Sequence, residues 1–203
     1  MKLVIVRHGE TAYNKAERYM GHLDIGLNKI GKEQVRKLAA RLAKEKFDYI
    51  YSSDLSRSVQ TLDAVRPHFV NVPVILDDKL RERKLGVFEG LYKNQATWDS
   101  IPGNPLTRKP SKGESLSEMR DRINKFLKHL RDRHLGENIL ILTHGGVMRI
   151  MHHLFTRESL LDSFNRYRFE NTAICIYDLS LQKPQVICFN DIAHLGSGST
   201  LGE

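Results

Sequence analysis

No apolar run in this chain of 203 residues approaches the roughly 20 residues that a helix needs to cross a bilayer, and no membrane partner is expected. Cysteine is nearly absent. Cys175 and Cys188 have no C-x-x-C spacing and no histidine close by, which speaks against a disulfide framework and a thiolate metal site. Both read as buried free thiols of a protein in a reducing compartment. Strand-like residues begin at Leu3, so no signal peptide is expected and the cytoplasm is the expected location. Any block of lysine and arginine is also missing, as is a basic stretch interleaved with aromatics. The formal charge is nevertheless +8 and the pI near 9.5. The basic residues are spread along segments such as 32–46 and 120–133, mixed with Glu and Asp, as on a solvated helix face. An acidic partner is suggested, either nucleic acid or a phosphorylated small molecule; no basic block marks a nucleic-acid site, and the charge balance alone does not decide between them.

What is present alternates. "LVIV" (3–6), "YIYSS" (49–53), "VPVIL" (72–76) and "ILILT" (139–143) are short apolar or β-branched runs that suit a sheet covered on both faces. Between them, Val35, Leu38, Ala39 and Leu42 recur at helical spacing, and so do Leu116, Met119, Ile123, Phe126, Leu127 and Leu130. Ser115 and Glu118 form a capping-box pattern at the start of the second helix. The alternation implies a mostly parallel α/β sheet in one domain spanning residues 1–195. "TAICIYDL" (172–179) and "PQVICF" (184–189) read as two further strands toward one edge. Between about 91 and 115 the pattern lapses into a proline- and glycine-containing excursion of the kind that covers a site. Residues 196–203 are small and polar and read as a mobile tail.

Open α/β sheets bind ligands at the carboxyl ends of their strands. Arg7 and His8 follow the first strand, and Ser53 to Arg57 the second. Arg81 to Arg83 follow the third, and His144, Gly145 and Gly146 the fourth. Taken alone, each has an ordinary structural reading: a strand-end histidine, a helix-capping arginine, a solvated Glu82 between two arginines, a tight turn. Together they suit phosphoryl chemistry. Guanidinium forks grip phosphate bidentately, and backbone N–H groups at a helix N-terminus point at an anion. A neutral imidazole is a nucleophile near neutral pH, and a carboxyl group can protonate a leaving oxygen.

"RHGET" with Asn14, "SDLSRSVQT", "LRERKLGVFEG" and "LTHGG", in this order, resemble the histidine phosphatase superfamily, also called the phosphoglycerate mutase-like family. Arg18, Gly21, Asp24, Leu27, Gly31, "GESLSEMRDRI", Asn171 and "NDIAHL" extend the resemblance over roughly residues 1–195. The resemblance implies a three-layer α/β/α sandwich. It implies that His8 is the nucleophile that becomes phosphohistidine, with Arg7, Arg57 and His144 completing the phosphate pocket and Glu82 as proton donor. Asn14 and the Gly145 backbone are implied as further phosphate contacts, and Gly21 lies on the substrate-side loop. No metal or other cofactor is implied.

The same family divides between hydrolysis and transfer. At the acidic site its cofactor-dependent mutases carry E-R-H-Y-G. Glu82, Arg83 and Gly86 agree here, while Lys84 and Leu85 replace the His and Tyr. "GVFEGL" and the short segment between Glu82 and His144 resemble the phosphatase branch, whereas Arg83 and Lys93 are mutase-like. The expectation is a metal-independent phosphatase acting on phosphate monoesters of small metabolites, with a mutase-type phosphotransferase as the alternative. A non-catalytic phospholigand- or nucleic-acid-binding module is a third reading. Salt-dependent retention on DNA without turnover would distinguish it.

Overall fold

Successive strand residues point to opposite faces, so a strand buried on both sides must be apolar throughout. The computed structural model, which describes residues 1–180 and 183–196, realises this in the inner strands of one six-stranded sheet; the run at 72–76, expected to be covered on both faces, is instead an edge strand with Ile75 and Leu76 exposed. Its strands are β1 (Lys2–Arg7), β2 (Tyr49–Ser52), β3 (Val74–Leu76), β4 (Asn138–Thr143), β5 (Ile174–Asp178) and β6 (Gln185–Asp191). Their spatial order is β3-β2-β4-β1-β5-β6. Leu3 and Ile5 of β1 enter one core and Val4 and Val6 the other; β4 splits likewise into Ile139 and Ile141 against Leu140 and Leu142.

The helices are α1 (Ala12–Lys15), α2 (Lys29–Leu42), α3 (Ser56–Val65), α4 (Leu116–Arg133), α5 (Gly145–Thr156) and α6 (Leu160–Arg166). Leu38, Ala39 and Leu42 of α2 and Leu62 and Val65 of α3 cover the Val4/Val6 face. Met119, Ile123, Phe126 and Leu130 of α4 and Val147, Ile150 and Met151 of α5 cover the other, completing three layers. The capping box at α4 is present: the Glu118 N–H donates to Ser115 Oγ, and the Ser115 N–H to Glu118 Oε2. The sequence pattern assigns no helix to 56–65 or 160–166. The first starts at Leu55 without a side-chain cap, and the second is only 7 residues long, too short for periodicity to register.

The register places the site. Strand β4 lies between β1 and β2 and runs parallel to both, pairing Arg7 with Thr143 and Ser52 with Leu142. The three carboxyl ends are therefore level and adjacent, while β5 and β6 continue the sheet antiparallel beyond β1. The excursion at 91–115 carries two short 3₁₀ turns. Its Trp98 donates from Nε1 to the Tyr19 hydroxyl and packs edge-on against Phe88, with the Arg83 guanidinium 4.7 Å from the ring centroid. The segment thus packs on Tyr19 and on the loop that follows Glu82.

Both cysteines are free, but only Cys175 is buried; Cys188 is half-exposed because it lies on the edge strand β6. No described helix is long and apolar enough to cross a membrane. From residue 197 onward the expected tail lies outside the described residues.

Candidate active site

Strand β1 ends by delivering Arg7 and His8 beside the end of β4, where the His8 N–H donates to Thr143 O. His8 is 2% exposed, and its Nδ1 lies 2.7 Å from Gly9 O. A carbonyl can only accept, so Nδ1 carries the proton and Nε2 keeps its lone pair. Burial, and then the charges of Arg57 and Arg7, hold His8 well below the usual histidine range. The ring is neutral at pH 7. Gly9 is needed where the loop crosses α2, since a Cβ there would lie 2.8 Å from Gly31 O.

Arg57 is fully buried at the start of α3. Its Nε donates to His144 Nδ1, Nη1 to Leu23 O and Nη2 to Gly21 O, at 2.8–3.2 Å. Arg7 Nη1 donates to Phe169 O at 2.6 Å. Arg7 Nε is buried without a hydrogen-bond partner among the described residues. Burial lowers both guanidinium groups to about 10, so both stay charged at neutral pH. A buried N–H without an acceptor is costly, and an anionic oxygen is the group that satisfies it.

Since His144 Nδ1 accepts from Arg57, its Nε2 carries the proton and donates to Ser53 Oγ at 2.9 Å. Burial and neighbouring cations hold this ring neutral as well. Its centroid is 5.1 Å from that of His8. Both ring nitrogens are thus engaged by protein groups, and His144 orients Arg57 beside the nucleophile.

Glu82 faces the N-terminus of α5. Its Oε2 accepts the Gly146 N–H at 3.0 Å and its Oε1 the Arg83 N–H at 2.8 Å. A Cβ on Gly146 would fall 2.0 Å from Glu82 Oε1, so only glycine admits the carboxylate this close. Of the two helix-end N–H groups expected to face an anion, Gly146 therefore serves Glu82. Gly145 stays beside the Arg7 side chain, where a Cβ would be 3.5 Å from Nε. Asn14 Oδ1 accepts from the Thr11 N–H and from Asn171 Nδ2, leaving its own amide N–H groups for a ligand. Gly21, at φ +50°, packs against Glu89, where a Cβ would clash at 2.3 Å.

His22 and Arg149 at the site were not singled out by sequence, and Ser53, which opens a strand-end motif, was given no role of its own. His22 Nε2 lies 2.8 Å from Glu82 O and donates to it, and the His22 N–H donates to Glu89 Oε1. Ser53 holds His144, and Arg149 projects from α5. Only proximity in the fold reveals these contacts, since spacing in the sequence does not show that Ser53 meets His144 or that His22 meets Glu82. Arg81, by contrast, is drawn away into a two-pronged ion pair with Asp54. Asp77 accepts from the Lys79 N–H and Asp78 is largely exposed, which leaves Glu82 as the carboxylate whose charge acts most on the two arginines. Among the described residues, no cluster of three or more His, Cys, Asp or Glu side chains could hold a metal ion. Two neutral histidines, two buried guanidinium groups and one carboxylate can bind a phosphoryl group, attack it and move a proton.

The model of the histidine phosphatase superfamily (branch 1) matches residues 3–192. Phosphoglycerate mutase-like protein 4 of Arabidopsis thaliana is 38% identical over 74% of this chain and 69% of its own length. Metal-independent phosphoserine phosphatase of the same organism is 31% identical over 97% and 84%. Among solved structures, Bacillus stearothermophilus YhfR is similar with a TM-score of 0.86 at 28% identity, covering 96% of this chain and 98% of that one.

Proposed function

The chain belongs to the histidine phosphatase superfamily, branch 1, and on that premise we propose that it is a phosphoric monoester hydrolase working through a phosphohistidine on His8. The observation that carries this reading is the tautomer of His8. Its Nδ1–H is committed to Gly9 O, so the Nε2 lone pair is the nucleophile beside Arg7 and Arg57.

In the first step Nε2 attacks phosphorus, the bond from phosphorus to the ester oxygen breaks, and the protonated Glu82 carboxyl gives its proton to the departing oxygen. In the second, Glu82 takes a proton from water while that oxygen attacks the phosphohistidine, releasing inorganic phosphate and the neutral imidazole. Arg7, Arg57, the Gly145 N–H and the Asn14 amide hold the equatorial oxygens, and His144 keeps Arg57 in place. Such preformed donors each contribute on the order of 10²–10³ in rate. The guanidinium groups supply the charge neutralisation that a cation gives in other phosphatases. Substrates are small phosphorylated molecules; the relative named a phosphoserine phosphatase puts phosphorylated hydroxy- and amino acids first among those to test.

The test is phosphate release by the purified chain from a panel of phosphorylated acids, sugars and p-nitrophenyl phosphate, with and without chelator. Release from at least one ester, unchanged by the chelator, is expected. A second reading follows from the mutase-like relative. Conversion of 3-phosphoglycerate to 2-phosphoglycerate in the presence of catalytic 2,3-bisphosphoglycerate, without phosphate release, would establish it instead. Salt-dependent retention on DNA with no turnover at all would replace both.

A further inference from the structure

We propose that Arg149 is a second anion-binding group of this site, holding the carboxylate of a substrate whose phosphoryl group lies against Arg7 and His8. The position of that phosphoryl group rests on the phosphatase reading above.

Arg149 stands one turn beyond Gly145 and Gly146 on α5. Helical side chains lean toward the N-terminus, so a residue three or four positions on reaches back over the first turn, where Gly146 holds Glu82. The Arg149 guanidinium is braced there. Its Nε donates to Tyr167 O at 2.6 Å, and the group lies 5.4 Å from the Phe164 ring centroid. Arg7 is braced by Phe169 O, two residues further along the same segment. Two residues of chain span at most about 7 Å, so the carbonyls of Tyr167 and Phe169 belong to one short stretch of backbone. Both guanidinium groups are therefore anchored to the same short segment.

Beyond Nε, the terminal N–H groups of Arg149 meet no acceptor among the described residues. The charges that act on it are Glu82, which is committed to the N–H groups of Gly146 and Arg83, and Arg168, which repels it; Arg7 and Arg149 repel each other too. Both partly buried guanidinium groups feel Glu82 first among the carboxylates, and among the described residues neither forms an ion pair with it or with any other carboxylate. A ligand with one anionic group on Arg7 and a second on Arg149 relieves this excess, and the free fork of Arg149 matches the two oxygens of a carboxylate. Anchors only two residues apart call for a short linker between the two groups, of two or three carbon atoms.

Binding to the wild-type chain is measured by calorimetry for 3-phosphonopropanoate and propylphosphonate, which differ by the carboxylate alone. Neither is hydrolysed, so turnover does not enter. The carboxylated ligand is expected to bind about tenfold more tightly or better. That ratio should fall to about one in Arg149→Met and be partly kept in Arg149→Lys, whatever happens to the affinity the two ligands share. A ratio of one in the wild type, or an undiminished ratio in Arg149→Met, overturns the assignment. If Arg149→Met does not fold, Arg149→Lys with the wild-type ratio decides. A larger Arg149-dependent gain for propane-1,3-bisphosphonate would overturn the carboxylate in favour of a second phosphoryl group. Absence of phosphate release from every ester would count against the phosphatase reading alone.

Discussion

At the scale of single residues, the site is a set of protons placed by their partners. Gly9 O fixes the proton of His8 on Nδ1, and Arg57 fixes that of His144 on Nε2. Glu82 is held by two backbone N–H groups where it can serve as acid and then as base. Its contribution should depend on the leaving group. An alkoxide needs a proton in the first step, whereas p-nitrophenolate departs unaided. Glu82→Gln is expected to slow hydrolysis of an alkyl phosphate by roughly 10²–10⁴. It should slow the phosphorylation of His8 by p-nitrophenyl phosphate far less, with the phosphoenzyme accumulating. Rapid-quench measurement of both steps checks this, and equal losses without accumulation would remove Glu82 from the mechanism.

At the scale of elements, the contact between the first loop and α2 is set by two glycines. Alanine for glycine within a helix ordinarily stabilises by about 1 kcal/mol. At Gly31 the sign should reverse, because the new Cβ would lie 2.0 Å from Glu10 O and neither backbone can yield without moving the loop that carries His8. Gly31→Ala is therefore expected to lower both the melting temperature and kcat/KM; an unchanged or raised melting temperature would contradict the packing account. The same elements show what was legible in the sequence. Strands buried on both faces write themselves as unbroken apolar runs, and α4 announces its start with Ser115 and Glu118, so sheet and helix were readable. The four strand-end groups were readable because motif and strand end coincide. The engagement of His144 by Arg57 and Ser53, the capture of the Gly146 N–H by Glu82, and Arg149 were not, since each depends on a partner between 18 and 91 positions away.

At the scale of the whole molecule, a site built on buried neutral histidines ties stability to pH. His8 and His144 have folded-state values well below that of an unfolded histidine, near 6.5. As pH falls through the unfolded value, the unfolded chain takes up protons that the folded chain refuses, so stability is lost toward acid. Each such histidine contributes a slope of up to about 1.4 kcal/mol per pH unit below roughly pH 6.5. His22, His152 and His194 are shifted in the same direction, burial being the first cause in each. Denaturant unfolding at pH 7, 6 and 5 should show a steady fall in stability that is shallower in His144→Gln. A flat profile would mean that the two rings are not held neutral. In the opposite direction, Arg7 and Arg57 lose charge near pH 10, so kcat/KM for any ester should decline there.

The central claim is that the lone pair left on His8 Nε2 by its bond to Gly9 O becomes the carrier of the phosphoryl group. Brief exposure of the chain to labelled p-nitrophenyl phosphate, an alkaline quench and peptide mapping measure this most directly. Acid-labile, alkali-stable phosphate should appear on Nε2 of His8, to about one equivalent in Glu82→Gln, and none in His8→Ala, which should also lose turnover. Label on another residue, or a His8→Ala chain that keeps wild-type turnover, would contradict the account.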